Sequence, residues 1–223
     1  MDYKKLKYTI EDAAKNAGIT EYEVYYTEYR GMDVSVFASE IKSFNSDESR
    51  GICFRCRVNG KIGYASTEWM EEEELRSLPV RALENAALIE NTDNDDFYGT
   101  GDHYQKAETE IAPLAATGQY IEKALSCQKA CYDADSRVSE GTETSAGGYR
   151  TVICLFNSNG LDLSAAYGFD LVVTAPVVRD GNDVNAAYSF SIKSLDEIDT
   201  AALAKEAVKR SVQKIGAVQQ ESG

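Results

Sequence analysis

At 223 residues, with 43% hydrophobic residues and three prolines, the chain can bury one large core or two small ones and lacks the composition of a disordered segment. Its formal charge of −14 excludes a surface built to neutralise phosphates, so nucleic acid is not expected as a partner. No run of about 18 apolar residues occurs, which excludes an apolar spanning helix, and no membrane partner is expected.

Met1 is followed by Asp2, Lys4, Lys5 and Lys7 without the apolar run that secretion needs. Leu6, Ile10, Ala13 and Ala14 then fall at helical spacing over residues 3–17, and Gly18 caps the run. Residues 22–30 predict a strand, with Tyr22, Val24 and Tyr26 alternating against Glu21, Glu23 and Tyr25. Gly31-Met32-Asp33 predicts a turn back into a strand over 34–39, and residues 40–44 predict a third strand after a tight turn. Ile52 to Val58 and Ile62 to Ser66 flank Asn59-Gly60, the two φ > 0 residues of a type I′ hairpin, bringing the expectation to about five strands. Gly51 and Gly63 mark places where a backbone or bulky side chain comes close, or a bulge.

Residues 67–90 switch to helical period through Leu75, Leu78, Ala82, Ala86 and Ile89. Pro79 predicts a first helix stopping near Ser77 and a second starting at the proline. Residues 91–101 read as a loop, and 115–133 as a helix with Ile121, Ala124, Leu125, Gln128 and Tyr132 on one side. Strands are predicted over 137–144, 149–158, 161–178 and 184–193, with turns at Ala146-Gly147-Gly148, Asn159-Gly160 and Asp180-Gly181-Asn182. A closing helix over 199–215, capped at Asp199 or Thr200, buries Leu203, Ala207, Val208, Val212 and Ile215. The small, polar stretch 217–223 has the look of a linker. This order predicts an α+β fold of antiparallel sheets with segregated helices. Residues 1–110 are expected to form an N-terminal α+β subdomain with the hairpin, and 111–223 a second strand-rich subdomain leading into a further domain.

From Phe44 to Thr67 the sequence is FNSDESRGICFRCRVNGKIGYAST. Ser46 to Gly51, the strand to Val58, the Asn59-Gly60 turn and Gly63-Tyr64-Ala65-Ser66-Thr67 resemble the start of the TldD/PmbA family. There a polar stretch running from a serine to a glycine, a hydrophobic strand, a turn and Gly-(Phe/Tyr)-Ala-Ser-(Ser/Thr) follow in that order. The surrounding helix, strand, hairpin, helix order matches, and the FNSD run is closer to the PmbA (TldE) branch. The resemblance covers the whole chain at low similarity, with the hairpin its one specific motif.

The resemblance implies a TldD/PmbA N-terminal-type fold and members about twice as long, whose zinc peptidase chemistry lies in the other half on a His-Glu-x-x-x-His helix. This sequence has one histidine, His103, and no such motif, so the resemblance assigns no catalytic, cofactor or metal residue here. Zinc is expected only in a missing half or a partner. Expected partners are a second copy or a TldD-like chain, forming a dimer, and an unfolded peptide. The family name also links it to DNA gyrase, a link the charge of −14 does not suit if it ran through DNA.

Other constellations are weaker. Five cysteines, an odd number without an export signal, read as reduced thiols of a cytoplasmic protein. Cys53-Phe-Arg-Cys56 has a metal or redox spacing, but on a strand the two thiols leave opposite faces. Cys127 and Cys131 share a helical face, and a zinc site there would need Cys154 or His103 to complete it. Asn91, Asp93, Asp95, Asp96 and Asp102 imitate a calcium loop that lacks its glycine and closing glutamate, so a solvated acidic loop is preferred. Gly99-Thr-Gly101-Asp lacks the context of a phosphate loop, and no Gly-x-Ser-x-Gly elbow supports a triad on His103. Glu71 to Glu74 suit the first turn of a helix. Tyr22, Tyr25, Tyr26 and Tyr29 fall on both faces of one strand, which suits an interface, a peptide groove or a partly exposed edge.

Two functional readings follow. The first is a non-catalytic N-terminal part of a TldD/PmbA-type metallopeptidase system, serving assembly and peptide access to a metal site in an absent half or a partner chain. The alternative is a free-standing protein-binding or assembly module.

Overall fold

Asn59 and Gly60 adopt φ of 51° and 74°, and the strands they join pair in register from Val58↔Lys61 to Ile52↔Thr67, as their sequence dictates. The computed structural model describes residues 3–92, 96–101, 104–105 and 107–218. Its elements are α1 (Tyr3–Asn16), β1 (Tyr22–Phe37), β2 (Glu40–Val58), β3 (Lys61–Thr67), α2 (Glu72–Leu88), α3 (Thr117–Ala134), β4 (Glu143–Asn157), β5 (Asp162–Ala175), β6 (Val177–Asp180), β7 (Asp183–Ala186), β8 (Ser189–Lys193) and α4 (Thr200–Val212). The order β3-β2-β1-β4-β5-β8 makes a six-stranded sheet, and β6 and β7 pair separately. This is the expected α+β class, with antiparallel pairing at β2–β3, β5–β8 and β6–β7.

The early strands are longer than the sequence predicts, and the later ones are cut differently. Gly31-Met32-Asp33 makes no turn: β1 runs through it, and Gly31 is not among the positive-φ glycines. The tight turn expected before residue 40 does form, at Ala38 and Ser39, with φ of 49° and 64°. Neither residue favours that region. The buried side chain of Gln128 holds the turn from outside: its Oε1 accepts from Ser39 N at 2.8 Å, and its Nε2 donates to Val36 O at 3.1 Å and Thr142 O at 2.8 Å. Gln128→Ala is expected to cost about 2 kcal/mol in urea unfolding, since it strands buried main-chain groups.

The predicted turn at Ala146-Gly147-Gly148 is also absent, and β4 is one strand. The glycines serve clearance: a Cβ on Gly147 would lie 2.6 Å from Met32 O, and one on Gly148 would overlap Tyr120 Oη and Asp170 Oδ1. Before β4, residues 137–142 contribute only the Val138↔Val178 bridge. The strand predicted over 161–178 ends at Ala175, because Pro176 has no N–H for the ladder. The run 184–193 is two strands, β7 and β8. Pro79 does not break α2. Leu75, Leu78, Ala82 and Ala86 bury one face of it, which offsets a proline cost of about 3 kcal/mol.

The chain divides into two compact units, residues 1–29, 48–111 and 151–167, and residues 30–47, 112–150 and 168–223. In the first, α1 and α2 supply Leu6, Ile10, Ala14, Leu75, Leu78 and Ala82 to a core shared with Val24, Ile52, Phe54, Cys56, Ala65 and Phe156 of the strands. In the second, Tyr120, Ala124, Cys127 and Cys131 of α3 and Leu203, Ala204 and Val208 of α4 close over Val34, Val36, Ala146 and Val172. The buried face of α3 is thus turned from the predicted one, with Ile121 and Leu125 at its margin. Asp199 caps α4 by accepting from Ala202 N at 3.0 Å. No helix of the described residues is long and apolar enough to cross a membrane.

Candidate functional site

The first unit opens where β3 ends. Pairing with β2 stops at Ile52↔Thr67, while β2 continues back through Gly51, Arg50 and Ser49 with no strand of the described residues beside it on that side. A cleft of about 690 Å³ lies at this point, lined by Tyr25 and Thr27 of β1, Gly51 to Cys53 of β2, the 66–69 segment, and Glu74 and Arg81 of α2. α2 is fixed against β3 by Gly63, where an added Cβ would overlap the Ala82 carbonyl and meet Ala86 N at 2.5 Å. Of the two glycines singled out in the sequence, this one makes the close approach; Gly51 has only Thr67 O, at 4.0 Å.

Aromatic surface and charge meet in the cleft. Trp69, the one tryptophan, is 67% exposed, and its main-chain N–H donates to Thr67 Oγ1 at 3.1 Å. Tyr25 is 42% exposed. Arg81 is engaged, donating from Nη2 to Ser66 O at 3.3 Å with Nη1 3.8 Å from Glu74. Glu68 is exposed. Burial pushes the half-buried Cys53 thiol up, only partly countered by Arg55, so Cys53 is a neutral thiol near pH 7. Sequence reasoning singled out neither Trp69 nor Arg81. The signal it had was the lone tryptophan two residues past the Gly-Tyr-Ala-Ser-Thr motif.

The remaining candidates are placed elsewhere or fall apart. Cys53 is half-exposed while Cys56 is buried, paired across the ladder with Ser66 and Gly63 respectively. Cys127 and Cys131 are buried together in the second unit; Cys131 Sγ lies 3.4 Å from Thr174 Oγ1, which is 2.7 Å from Thr144 Oγ1. Cys154 belongs to the first unit. His103, Asp93, Asp95 and Asp102 lie outside the described residues. Among the described residues no three His, Cys, Asp or Glu side chains gather as metal ligands. Tyr22 stacks on Phe54 at 5.4 Å, Tyr26 donates to Glu28 at 3.0 Å, and only Tyr25 of the strand's tyrosines lines the cleft.

A second cluster holds the sheet's own loops. Glu23, 6% exposed, accepts from Arg55 Nε at 3.0 Å and Asn157 Nδ2 at 3.2 Å, and the Arg55 guanidinium sits 4.8 Å from the Phe97 ring centre. Asn157 and Asn159 donate to Tyr98 O and Phe97 O at 2.7 Å each. Glu23, Arg55, Asn157 and Asn159 are each hydrogen-bonded within the fold, and the arrangement pins residues 97–98.

Comparison with known proteins places this geometry. A model described as PmbA/TldA metallopeptidase domain 1 matches residues 22–89, and one described as PmbA/TldA metallopeptidase central domain matches residues 116–215. Among solved structures, a candidate modulator of a DNA gyrase from Thermotoga maritima superposes with a TM-score of 0.85 at 16% identity, over 99% of this chain and 50% of its own. TldE from Thermococcus kodakarensis gives 0.78 at 19% identity, over 92% of this chain and 47% of its own. A candidate modulator of DNA gyrase from Bacteroides thetaiotaomicron gives 0.80 at 17%, over 100% of this chain and 52% of its own. The chain thus spans about half the length of each of these structures. No curated protein matches the sequence. With its first and central domains both matched, the chain belongs to the PmbA/TldD metallopeptidase family and corresponds to the family's N-terminal half.

Proposed function

We propose that this chain is a non-catalytic part of a PmbA/TldD-type metallopeptidase system, of the PmbA branch, that serves assembly and holds an unfolded peptide for a metal site carried by other residues or by a partner chain. The observation that carries this reading is the stretch of β2 past the end of β3, with the cleft beside it. Main-chain N–H and C=O groups at Ser49 to Gly51 can take an extended peptide as an added strand, which needs no particular peptide sequence. Such a holder suits peptide maturation in the cytoplasm.

The assembly role is supported in the second unit. On β5 and β8 the pairs Leu171↔Ile192 and Val173↔Phe190 share one face, and Phe190, Ile192 and Tyr188 are each more than half exposed. An exposed apolar stripe of that kind on a sheet-edge strand supports an interface there, and the occupant we propose is a second copy or a TldD-like chain. The same stripe taken alone favours the alternative, a free-standing binding module; the two readings part on whether extended peptide binds.

The test is amide hydrogen exchange at Ser49 to Gly51 with an unstructured peptide, alongside its copy N-methylated at alternate residues. Protection by the first and none by the second is expected, with peptide cleavage appearing only when a TldD-like chain is added. Stoichiometric zinc together with cleavage by this chain alone overturns the reading.

A further inference from the structure

Resting on the peptide-holding reading, we infer that the cleft at the end of β3 selects a basic side chain, lysine or arginine, on the extended peptide beside it. Three features converge. The cleft volume of about 690 Å³ has room for a long side chain and the main chain that bears it. Its walls include Trp69, 67% exposed, and Tyr25, 42% exposed. Indole and phenol faces attract a cation near the ring, and tryptophan does so best.

The charge balance within the cleft decides the sign. Its lining holds two carboxylates, Glu68 and Glu74, and one cation, Arg81. Arg81 is committed to Glu74 and Ser66 O, which leaves Glu68, next to Trp69, as the lining carboxylate with no ion pair among the described residues. Cys53, also in the lining, stays neutral because burial raises its thiol. An anionic side chain would face Glu68 without a free cation. An apolar one would gain the aromatic contact but leave the carboxylate unanswered. A lysine or arginine answers both, its stem on the ring and its head at Glu68. The overall charge of −14 adds long-range attraction for a basic peptide, a contribution that salt screens.

The single tryptophan makes the test direct. Three capped, otherwise identical unstructured peptides with lysine, norleucine or glutamate at the central position would be titrated into the chain at low and high salt. Trp69 fluorescence is one readout, and protection of Cys53 from alkylation is a second that does not depend on it. The lysine peptide is expected to bind about tenfold more tightly than the norleucine peptide, and the glutamate peptide most weakly. Glu68→Gln should shrink the lysine preference to about twofold, while the charge-matched Glu122→Gln on α3 keeps it. Lysine and norleucine peptides that bind equally, both protecting Cys53, overturn the selectivity and leave peptide holding intact. If no peptide binds by any readout, including exchange at Ser49 to Gly51, the holding reading fails and the selectivity with it.

Discussion

Asp170→Ala is expected to cost about 3 to 5 kcal/mol, the largest loss of any single side chain in the second unit. Asp170 is 5% exposed and accepts from Tyr120 Oη at 2.7 Å, Arg150 Nη2 at 3.1 and 3.2 Å, and Leu195 N at 3.1 Å. One carboxylate thereby ties α3, β4, β5 and the turn at Leu195 together. Removing it leaves the Arg150 guanidinium, 11% exposed, without its counter-charge, and leaves a buried main-chain N–H without an acceptor. Tyr120, whose phenol is pushed up to about 12 by burial and then by its bond to Asp170, also loses its acceptor. Equilibrium urea unfolding measures the loss, and Asp170→Asn should lose less because it keeps the shape and one acceptor oxygen. A change under 1 kcal/mol for the alanine variant would show that water replaces the carboxylate and that the site is less dry than its exposure implies.

Gly63→Ala should cost at least about 3 kcal/mol, through overlap with main chain that cannot rotate away. The added methyl meets the Ala82 carbonyl and the Ala86 N–H of α2, so the helix as a whole has to lift from β3. The same movement shifts Glu74 and Arg81 in the cleft, so peptide binding should weaken along with stability. Thermal unfolding and peptide titration of the variant test both arms. Gly51→Ala serves as the contrast: its Cβ meets nothing closer than 4.0 Å, and its stability should change by less than about 1 kcal/mol.

These two glycines show what the sequence could and could not reveal. Asn59-Gly60 between alternating strands announces its hairpin, since the turn residues carry their own backbone preference. Gly63 inside a strand pattern announces either a bulge or a close approach, and only the position of α2 decides between them. Gly31, Gly147 and Gly148 look like turn signals and sit in strands, the last two because neighbouring groups occupy the space of a side chain. The tight turn expected before residue 40 forms at Ala38-Ser39, two residues with no turn preference of their own, and Gln128 holds it. Propensity is local, whereas Gly63, Gly147, Gly148 and the Ala38-Ser39 turn are settled by groups distant in sequence. The cleft was half legible for the same reason. The motif ending at Thr67 pointed to the hairpin, but the end of a ladder is a property of pairing, and Trp69 and Arg81 come together only once α2 has folded back onto β3.

The Gln128 contact with the β1–β2 turn has a further consequence, for the order in which the chain folds. An Asn-Gly hairpin closes on its own residues and forms early, whereas the Ser39–Gln128 bond spans 89 positions. The reversal at Ala38 and Ser39 is therefore unsupported until α3 has been made and has docked. In a chain emerging residue by residue, β1 and β2 wait unjoined at that end while the intervening segment is synthesised, exposed as two long strand-forming runs. That interval, and not the finished fold, is where this protein is most open to pairing with the wrong strand.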